Sequence, residues 1–570
     1  DRLLINQLKT HIRKIWIATH MIDSPFGYES SAYGLNHYSI DTPFRTVLNY
    51  FGYNADLSSL GRFAGGELYE IADYVDKIAR PRQVYWAVDG ERVDRVWLDP
   101  GERYALEKLV KEFEVNKRPY SEADWFHYFS SIYLIGDPGI SCILTVTNQT
   151  AFAIFKYGNE KVKKFLPGLI GQDKELKFGA TWFTELQGGS DLGANRLEAK
   201  QKGDAWLLNG DTKYFASNAG LADFAIVTAR PSNARSGAKG LALFLVPEIN
   251  SSGKRNFTVR RLKDKSGTVS VPTGEVGFKD SEAFLLGDEE KGIYYTMENL
   301  MVSRLSNAVG ALGIARKAYL EAYYYVNKRT AFGKKLIQHP LVLRDLIEME
   351  SYIEGTMALT FKAIKLFQET FMDRYPYSEK YHYARLLTHI SKNLTADMAS
   401  HVTKLSMELH GGLGFLSEFA VERWHREALI TPIWEGTSNI QALDMLEVIA
   451  KKGANQSMLK DVEQLGNEIQ KGKEVYKDMK SAIFSTFESL TKMSEEEAQF
   501  SAKDILERLG HAYSTIMLLH IGNILSSERF INIARIYSSR FFYRKEIASS
   551  VLRDASSIVN IDRIEALLKK

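Results

Sequence analysis

Glu435 stands in residues 431–441, Thr-Pro-Ile-Trp-Glu-Gly-Thr-Ser-Asn-Ile-Gln, between the indole of Trp434 and a glycine. An indole beside a carboxylate displaces water, favours the neutral acid and raises its pKa towards that of a useful general base. Pro432 stiffens the approach, and Thr437 or Ser438 can cap a helix predicted over residues 440–450. A lone glutamate at a helix start is more often a structural cap, so the chemistry rests on its company. Residues 183–191, Phe-Thr-Glu-Leu-Gln-Gly-Gly-Ser-Asp, place two adjacent glycines and several hydroxyls where strands begin. Such a loop turns N–H groups towards an anionic or ring-shaped ligand, or is a plain glycine turn. Residues 329–334, Arg-Thr-Ala-Phe-Gly-Lys, offer an arginine fork for a pyrophosphate, or a basic helix end that satisfies the dipole. Residues 410–415, His-Gly-Gly-Leu-Gly-Phe, close a helix; Gly411 is a natural C-cap, which explains one glycine but not three in four residues.

The elements that must carry these groups follow from periodicity. Residues 1–100 hold turn signals, such as Ser24-Pro25-Phe26-Gly27, and short helical pieces, and read as an added packing or assembly segment. Residues 101–177 are helical. From residue 178 to 291 the period becomes alternating, with strands at 205–210, 223–229, 240–247 and 257–262 and turns at Asn209-Gly210 and 231–240. Residues 292–452 return to long amphipathic helices. Leu305, Leu312, Ala315 and Tyr319 share one face, with Gly310 and Gly313 permitting close approach; Leu346, Met349 and Ile353, then Ile390, Leu394 and Met398, mark two more. Three such helices and the one after Glu435 make a four-helix bundle, and residues 453–570 form a further helical tail. The fold class is α+β, mostly α.

With 570 residues, several domains are expected. Lys+Arg 73 against Asp+Glu 70 gives no general argument for nucleic acid. One cysteine, Cys142, excludes an intrachain disulfide and any cysteine-based zinc cluster, and no side chains stand at metal-ligand spacing, so no metal is expected. No apolar run reaches membrane-spanning length and no signal-peptide layout opens the sequence, so a cytoplasmic protein without a membrane partner is expected.

Taken in order, the four motifs resemble those of the acyl-CoA dehydrogenase family of flavoproteins, over roughly residues 101–452. The resemblance implies a helical N-terminal domain, a middle β-barrel domain and a C-terminal four-helix bundle. It implies FAD, with Phe183, Thr184 and Gly189 against the flavin, Ser190 near its phosphates and the substrate, and Phe215 and Ser217 on the second flavin-side strand. Arg329, Phe332, Gln338, Glu408, Gly411 and Gly412 would serve the ADP half of a neighbouring subunit's FAD, and Thr437 and Asn439 touch the same cofactor. Glu435 takes the position of the base, with Arg304 beside it; Trp434 and Gly436 join Ser190 and Arg304 around the substrate. Some relatives carry the base where Met301-Val302-Ser303 stands, and no carboxylate is there.

Leu186-Gln187-Gly188-Gly189 replaces the commoner Pro-Gly-Ala-Gly, and Trp434 the commoner tyrosine. These, residues 261–267 and the large N-terminal segment resemble the AidB-type branch. Glu408 in place of glutamine, Pro340 where a glutamine often helps, and a one-residue shift at Tyr214–Ser217 depart from the family pattern. The resemblance implies dehydrogenation of an acyl-CoA to a trans-2-enoyl-CoA in fatty acid metabolism. Glu435 would be the base and flavin N5 the hydride acceptor, with an electron-transfer flavoprotein as electron acceptor and a homotetramer, a dimer of dimers, as the assembly. Two alternatives stand beside it. One is a DNA-associated flavoprotein with low dehydrogenase activity, resting on Arg529, Arg535, Arg540, Arg544, Lys545 and Arg553, opposed by Glu546, a set that otherwise reads as a solvated helix surface. The other is an acyl-CoA oxidase passing electrons to oxygen.

Overall fold

The computed structural model describes residues 31–203, 205–543 and 554–560. The turn expected at 24–27 and the positions Arg544, Lys545, Glu546 and Arg553 lie outside the described residues. Asp41 caps the helix α1 (Thr42–Tyr50) by accepting the Phe44 amide at 3.1 Å, with Pro43 in the first turn. Next come α2 (Ser58–Gly65), α3 (Glu67–Lys77), a hairpin of β1 (Arg82–Trp86) and β2 (Arg92–Trp97), and α4 (Pro100–Glu107). The hairpin was not legible in the sequence. Asp124 and Asp137 then cap α5 (Trp125–Ile135) and α6 (Pro138–Tyr157), accepting the amides of His127 at 2.9 Å and Ile140 at 3.0 Å. Both helices are buried nearly all round, which marks them as central.

Seven strands form the middle unit: β3 (Gly179–Trp182), β4 (Glu198–Lys202), β5 (Ala205–Ser217), β6 (Phe224–Pro231), β7 (Ala242–Pro247), β8 (Thr258–Leu262) and β9 (Thr273–Leu285). Their order is β3-β6-β4-β5-β9-β7, β8 pairs with β9, and β7 also pairs with β6, which closes the ring into a barrel. Trp182, Leu208, Val227, Phe244, Val276 and Phe278 fill its interior, while Ile226 and Leu245 turn outward onto Ile154 of α6. Asn209-Gly210 is not the expected turn, because both residues lie inside β5. The Asn209 amide instead bonds β9 reciprocally, donating to the Asp280 carboxylate at 3.0 Å and accepting the Asp280 amide at 2.8 Å. A methyl at Gly210 would lie 2.7 Å from Leu197, so this glycine serves close packing.

The helices α7 (Gly292–Lys328), α8 (Pro340–Thr370), α9 (Glu379–His410) and α11 (Ser438–Lys452) pack as the bundle, with α10 (Ala420–Ala428) leading into the turn before α11. A methyl at Gly313 would lie 2.2 Å from the Tyr133 carbonyl, so α7 presses directly on α5 there. Gly310 does not serve the close approach expected of it: nothing lies within 4 Å of a side chain built there.

The tail helices α12 (Ala454–Glu468), α13 (Lys473–Leu490), α14 (Ala502–Ile524) and α15 (Glu528–Tyr537) share one apolar core with the bundle and the N-terminal helices. Arg529 is neither a DNA contact nor a solvated side chain, as the two readings of the basic tail had it. It is buried, with its guanidinium on Glu354 at 2.5 and 2.8 Å and on Glu350 at 3.4 Å. Arg316 extends the chain of ion pairs from Glu350, at 2.5 Å, to Asp41, at 3.1 Å. Arg540 bonds Glu348 at 2.9 Å. Among the described residues, no helix is long and apolar enough to cross a membrane.

Candidate active site

Glu435 lies in the turn between α10 and α11 with a left-handed backbone, φ 59°, followed by Gly436 at φ 95°. In a non-glycine residue that conformation costs about 1–2 kcal/mol and persists only where the surroundings fix it. Three side chains from three helices do so. Arg304 Nε (α7) donates to the Glu435 carbonyl at 3.0 Å. Gln441 Nε2 (α11) donates to the carbonyls of Glu435 at 3.1 Å and Gly436 at 2.9 Å. Lys392 Nζ (α9) donates to the Gly436 carbonyl at 2.7 Å. A side chain at position 436 would meet Gln441 Nε2 at 2.8 Å, so contact and conformation both demand glycine. Behind this layer, Asp444 holds Arg304 at 2.9 Å and His389 Nδ1 meets the Gln441 amide oxygen at 3.0 Å.

Held at its main chain, Glu435 lines a pocket between α6 and α7 that opens to solvent. Pro138, Ser141, Cys142, Thr145 and Val146 form one wall, and Ser303, Ser306, Asn307, Gly310 and Ala311 the other; Thr431 and Trp434 close the third side. Ser303 Oγ donates to the Glu435 carboxylate at 2.5 Å. The Trp434 indole N–H donates to Asn307 Oδ1, and Asn307 Nδ2 donates to the Thr431 carbonyl at 2.9 Å, so one amide fixes both ring and turn.

Burial raises the pKa of Glu435 above the usual carboxylate range, opposed by the Ser303 hydrogen bond and the charges of Arg304 and Lys392. The direction is the one expected of a carboxylate beside an indole. Burial, reinforced by the Glu435 charge, pushes the Cys142 thiol up to about 12, and burial with Arg304 brings His389 down to about 3. Both are therefore neutral near pH 7.

The remaining residues singled out in the sequence fall in two further places. Phe183, Thr184, Gly189 and Ser190 form the loop after β3. It is anchored beneath by buried Glu185, which accepts the amides of Arg196 at 2.7 Å and Leu197 at 3.2 Å and pairs with Lys213 at 2.9 Å. Phe215 is 55% exposed on β5, and the Ser217 hydroxyl faces Cys142, which joins this strand to the Glu435 pocket. Arg329, Phe332 and Gln338 lie in the connection from α7 to α8, and Gly411 and Gly412 just after α9. Tyr325 brings these together: its hydroxyl accepts from Arg329, and its ring stacks on His410 at 4.4 Å. Glu408 is exposed and pairs with Lys404 at 2.7 Å. Thr437 and Asn439 are exposed at the start of α11. That helix begins at Ser438, earlier than expected, and the Thr437 hydroxyl makes no capping bond.

Sequence reasoning missed Ser303, Asn307, His389, Lys392, Gln441 and Asp444. Ser303 and Asn307 had a signal: they stand four residues apart on one helix, an offset that shares a face, with Arg304 between them in sequence. The others are polar residues on buried faces, whose partners are far away in sequence.

Two family descriptions match the chain: "Acyl-CoA dehydrogenase, middle domain" over residues 180–281 and "Acyl-CoA dehydrogenase, C-terminal domain" over residues 290–450. The short-chain specific acyl-CoA dehydrogenase of Clostridium acetobutylicum is 31% identical over 363 residues, 61% of this chain and 90% of that protein. AidB of Escherichia coli is 33% identical over 298 residues, 52% of each. The crystal structure of Caenorhabditis elegans ACDH-11 in complex with C11-CoA superposes with a TM-score of 0.81 at 26% identity, covering 95% of this chain and 97% of that one.

Proposed function

The chain belongs to the acyl-CoA dehydrogenase family of oxidoreductases, and on that premise we propose that it converts an acyl-CoA to the trans-2-enoyl-CoA with Glu435 as the base. The observation that carries this reading is a carboxylate of raised pKa, held in a left-handed turn by Arg304, Gln441 and Lys392, at the wall of a pocket. C11-CoA in the ACDH-11 crystal supports acyl-CoA as the substrate class.

The residues fit FAD. The exposed Arg329 guanidinium has no carboxylate partner among the described residues, nothing lies within 4 Å of side chains built at Gly333, Gly411 or Gly412, and Phe215 presents an exposed ring. Phe183, Thr184, Gly189, Ser190, Phe215 and Ser217 would hold the flavin side. Arg329, Phe332, Gln338, Glu408, Gly411 and Gly412, with Thr437 and Asn439, would serve the ADP half, across subunits of a homotetramer. FAD, when bound, would supply the acceptor for the hydride from Cβ, with an electron-transfer flavoprotein as the onward electron acceptor.

The protein's own part is proton removal and positioning. The Glu435 carboxylate takes the α-proton and becomes the neutral acid, a form that its buried setting favours. The charge left at Cα spreads onto the thioester carbonyl, for which the Glu435 amide would be the donor. Arg304 and Gln441 keep that turn from relaxing, and Asn307 fixes the Trp434 indole at the pocket wall.

The test is an anaerobic titration of the yellow protein with acyl-CoAs of graded length, following flavin bleaching, alongside Glu435→Gln. The variant should keep FAD and bind acyl-CoA with a shifted flavin spectrum, but bleach about 10²–10⁴-fold more slowly. Bleaching by the variant at the wild-type rate would assign the proton to another group, and loss of FAD would make Glu435 a structural cap. Wild-type protein that never bleaches rejects the reading.

A further inference from the structure

Lys392 is wholly buried on α9, and among the described residues no carboxylate lies within 4 Å of its amine. An ammonium is costly to bury without a counter-ion, so a lysine in this place calls for a reason. Its hydrogen bond goes to the Gly436 carbonyl at 2.7 Å, the residue after Glu435. The other two donors to this turn differ from it: Gln441 is neutral, and Arg304 is balanced by Asp444 at 2.9 Å. Of the remaining titratable groups around the turn, Cys142 on α6 and His389 on α9 are neutral near pH 7. Glu435 acts on Lys392 more strongly than Asp397, the other acid near it on α9. The unbalanced charge beneath the turn therefore belongs to Lys392, and the carboxylate it acts on most is Glu435.

Resting on the reading of Glu435 as the base, we propose that Lys392 is a positioning residue for it. Through the Gly436 carbonyl its ammonium holds the left-handed turn, and through its charge it adds to Ser303 and Arg304 in favouring the ionised Glu435 carboxylate. Burial and Arg304 bring Lys392 down to about 7, so it is cationic on the acid side of neutrality, while the neutral amine still donates to Gly436 above it. Anchor and charge are thus separable by pH.

The experiment compares flavin-loaded wild type, Lys392→Met and Lys392→Arg in anaerobic bleaching by acyl-CoA across pH, with flavin content and acyl-CoA affinity measured on the same samples. Lys392→Met should keep its flavin, bind acyl-CoA within about twofold of wild type, and bleach on the order of ten- to a hundredfold more slowly. Its acid limb should move to higher pH, because Glu435 loses a positive neighbour, and Lys392→Arg should restore the position of the limb. An acid limb unmoved in Lys392→Met, or a uniform loss that Lys392→Arg does not repair, overturns the inference. Should Lys392→Met lose its flavin, Lys392→Gln, a donor without charge, takes its place under the same criterion. Wild type that does not bleach at all defeats the base assignment itself and Lys392's role with it, an outcome distinct from a wild type that bleaches and a variant that matches it.

Discussion

Arg304 meets Glu435 at its main chain: Nε lies 3.0 Å from the carbonyl oxygen, and the carboxylate is left to Ser303 Oγ at 2.5 Å. The arginine therefore acts first on where the proposed base stands, and only through space on its charge. Its fork reaches Asp444 with a second nitrogen at 2.9 Å, which a single ammonium cannot reproduce together with the carbonyl contact. Arg304→Lys should retain flavin yet bleach with acyl-CoA on the order of 10²-fold more slowly, the loss typical of a small misplacement of a reacting group. Stopped-flow bleaching checks this; a wild-type rate would show that one charge at this position suffices.

Ser303 acts on the carboxylate directly. Its hydroxyl stabilises the charged form and so opposes the rise that burial imposes on Glu435. In Ser303→Ala the pKa of Glu435 should rise further. If Glu435 is the base and works as the carboxylate, activity should be lost first on the acid side and recover as the pH increases. A hydrogen bond to a charged group is worth about 1.5–3 kcal/mol, so roughly tenfold slower bleaching is expected on that side. A pH–rate profile displaced to lower pH would contradict the assignment.

Much of this architecture is legible in the residues, and the exceptions share a cause. The helices around Leu305, Met349 and Ile390 show because one face of each repeats an apolar spacing that local sequence carries. The Glu435, Arg329 and Gly411 groupings show because their unusual residues are adjacent in sequence. The support beneath Glu435 does not: Lys392, His389 and Gln441 are polar residues that read as surface until the bundle is assembled. Arg529 fails the same way, since Glu354 lies 175 residues before it. The 13-residue β9 went unread because no single face of it is uniformly buried, and Asn209-Gly210 because a hairpin dipeptide can also sit in an irregular strand.

The buried run Asp41–Arg316–Glu350–Arg529–Glu354 ties α1, α7, α8 and α15 together. Removing one partner leaves uncompensated buried charge, which costs about 3–5 kcal/mol, while replacing both by apolar groups of similar size is close to neutral. Arg529→Ala should therefore unfold at clearly lower denaturant, and Arg529→Met combined with Glu354→Leu should recover much of the loss. Equal destabilisation by the single and double variants would mean that packing, not charge, is lost.

Gly310 lines the α7 wall of the Glu435 pocket, at the end of that wall away from Ser303. It lies two helical turns beyond Ser303, about 10 Å along α7 at 1.5 Å per residue, and nothing stands within 4 Å of a side chain built there. An acyl chain entering past Glu435 towards Gly310 and Ala311 would run between α6 and α7, where Thr145 and Ser306 already spend their hydroxyls on Tyr128 at 3.2 and 3.1 Å. Gly310→Leu fills that end without touching the turn that carries the base. Each methylene denied burial costs about 0.8 kcal/mol, so a chain shortened in its contact by two or three methylenes should lose roughly ten- to fiftyfold in kcat/KM. Short acyl-CoAs should bleach the flavin as in wild type, and the loss should set in at one chain length and grow beyond it. A loss equal at every length would mean that leucine disturbs the packing of α6 on α7. A profile unchanged at every length would mean that the chain leaves Glu435 in another direction.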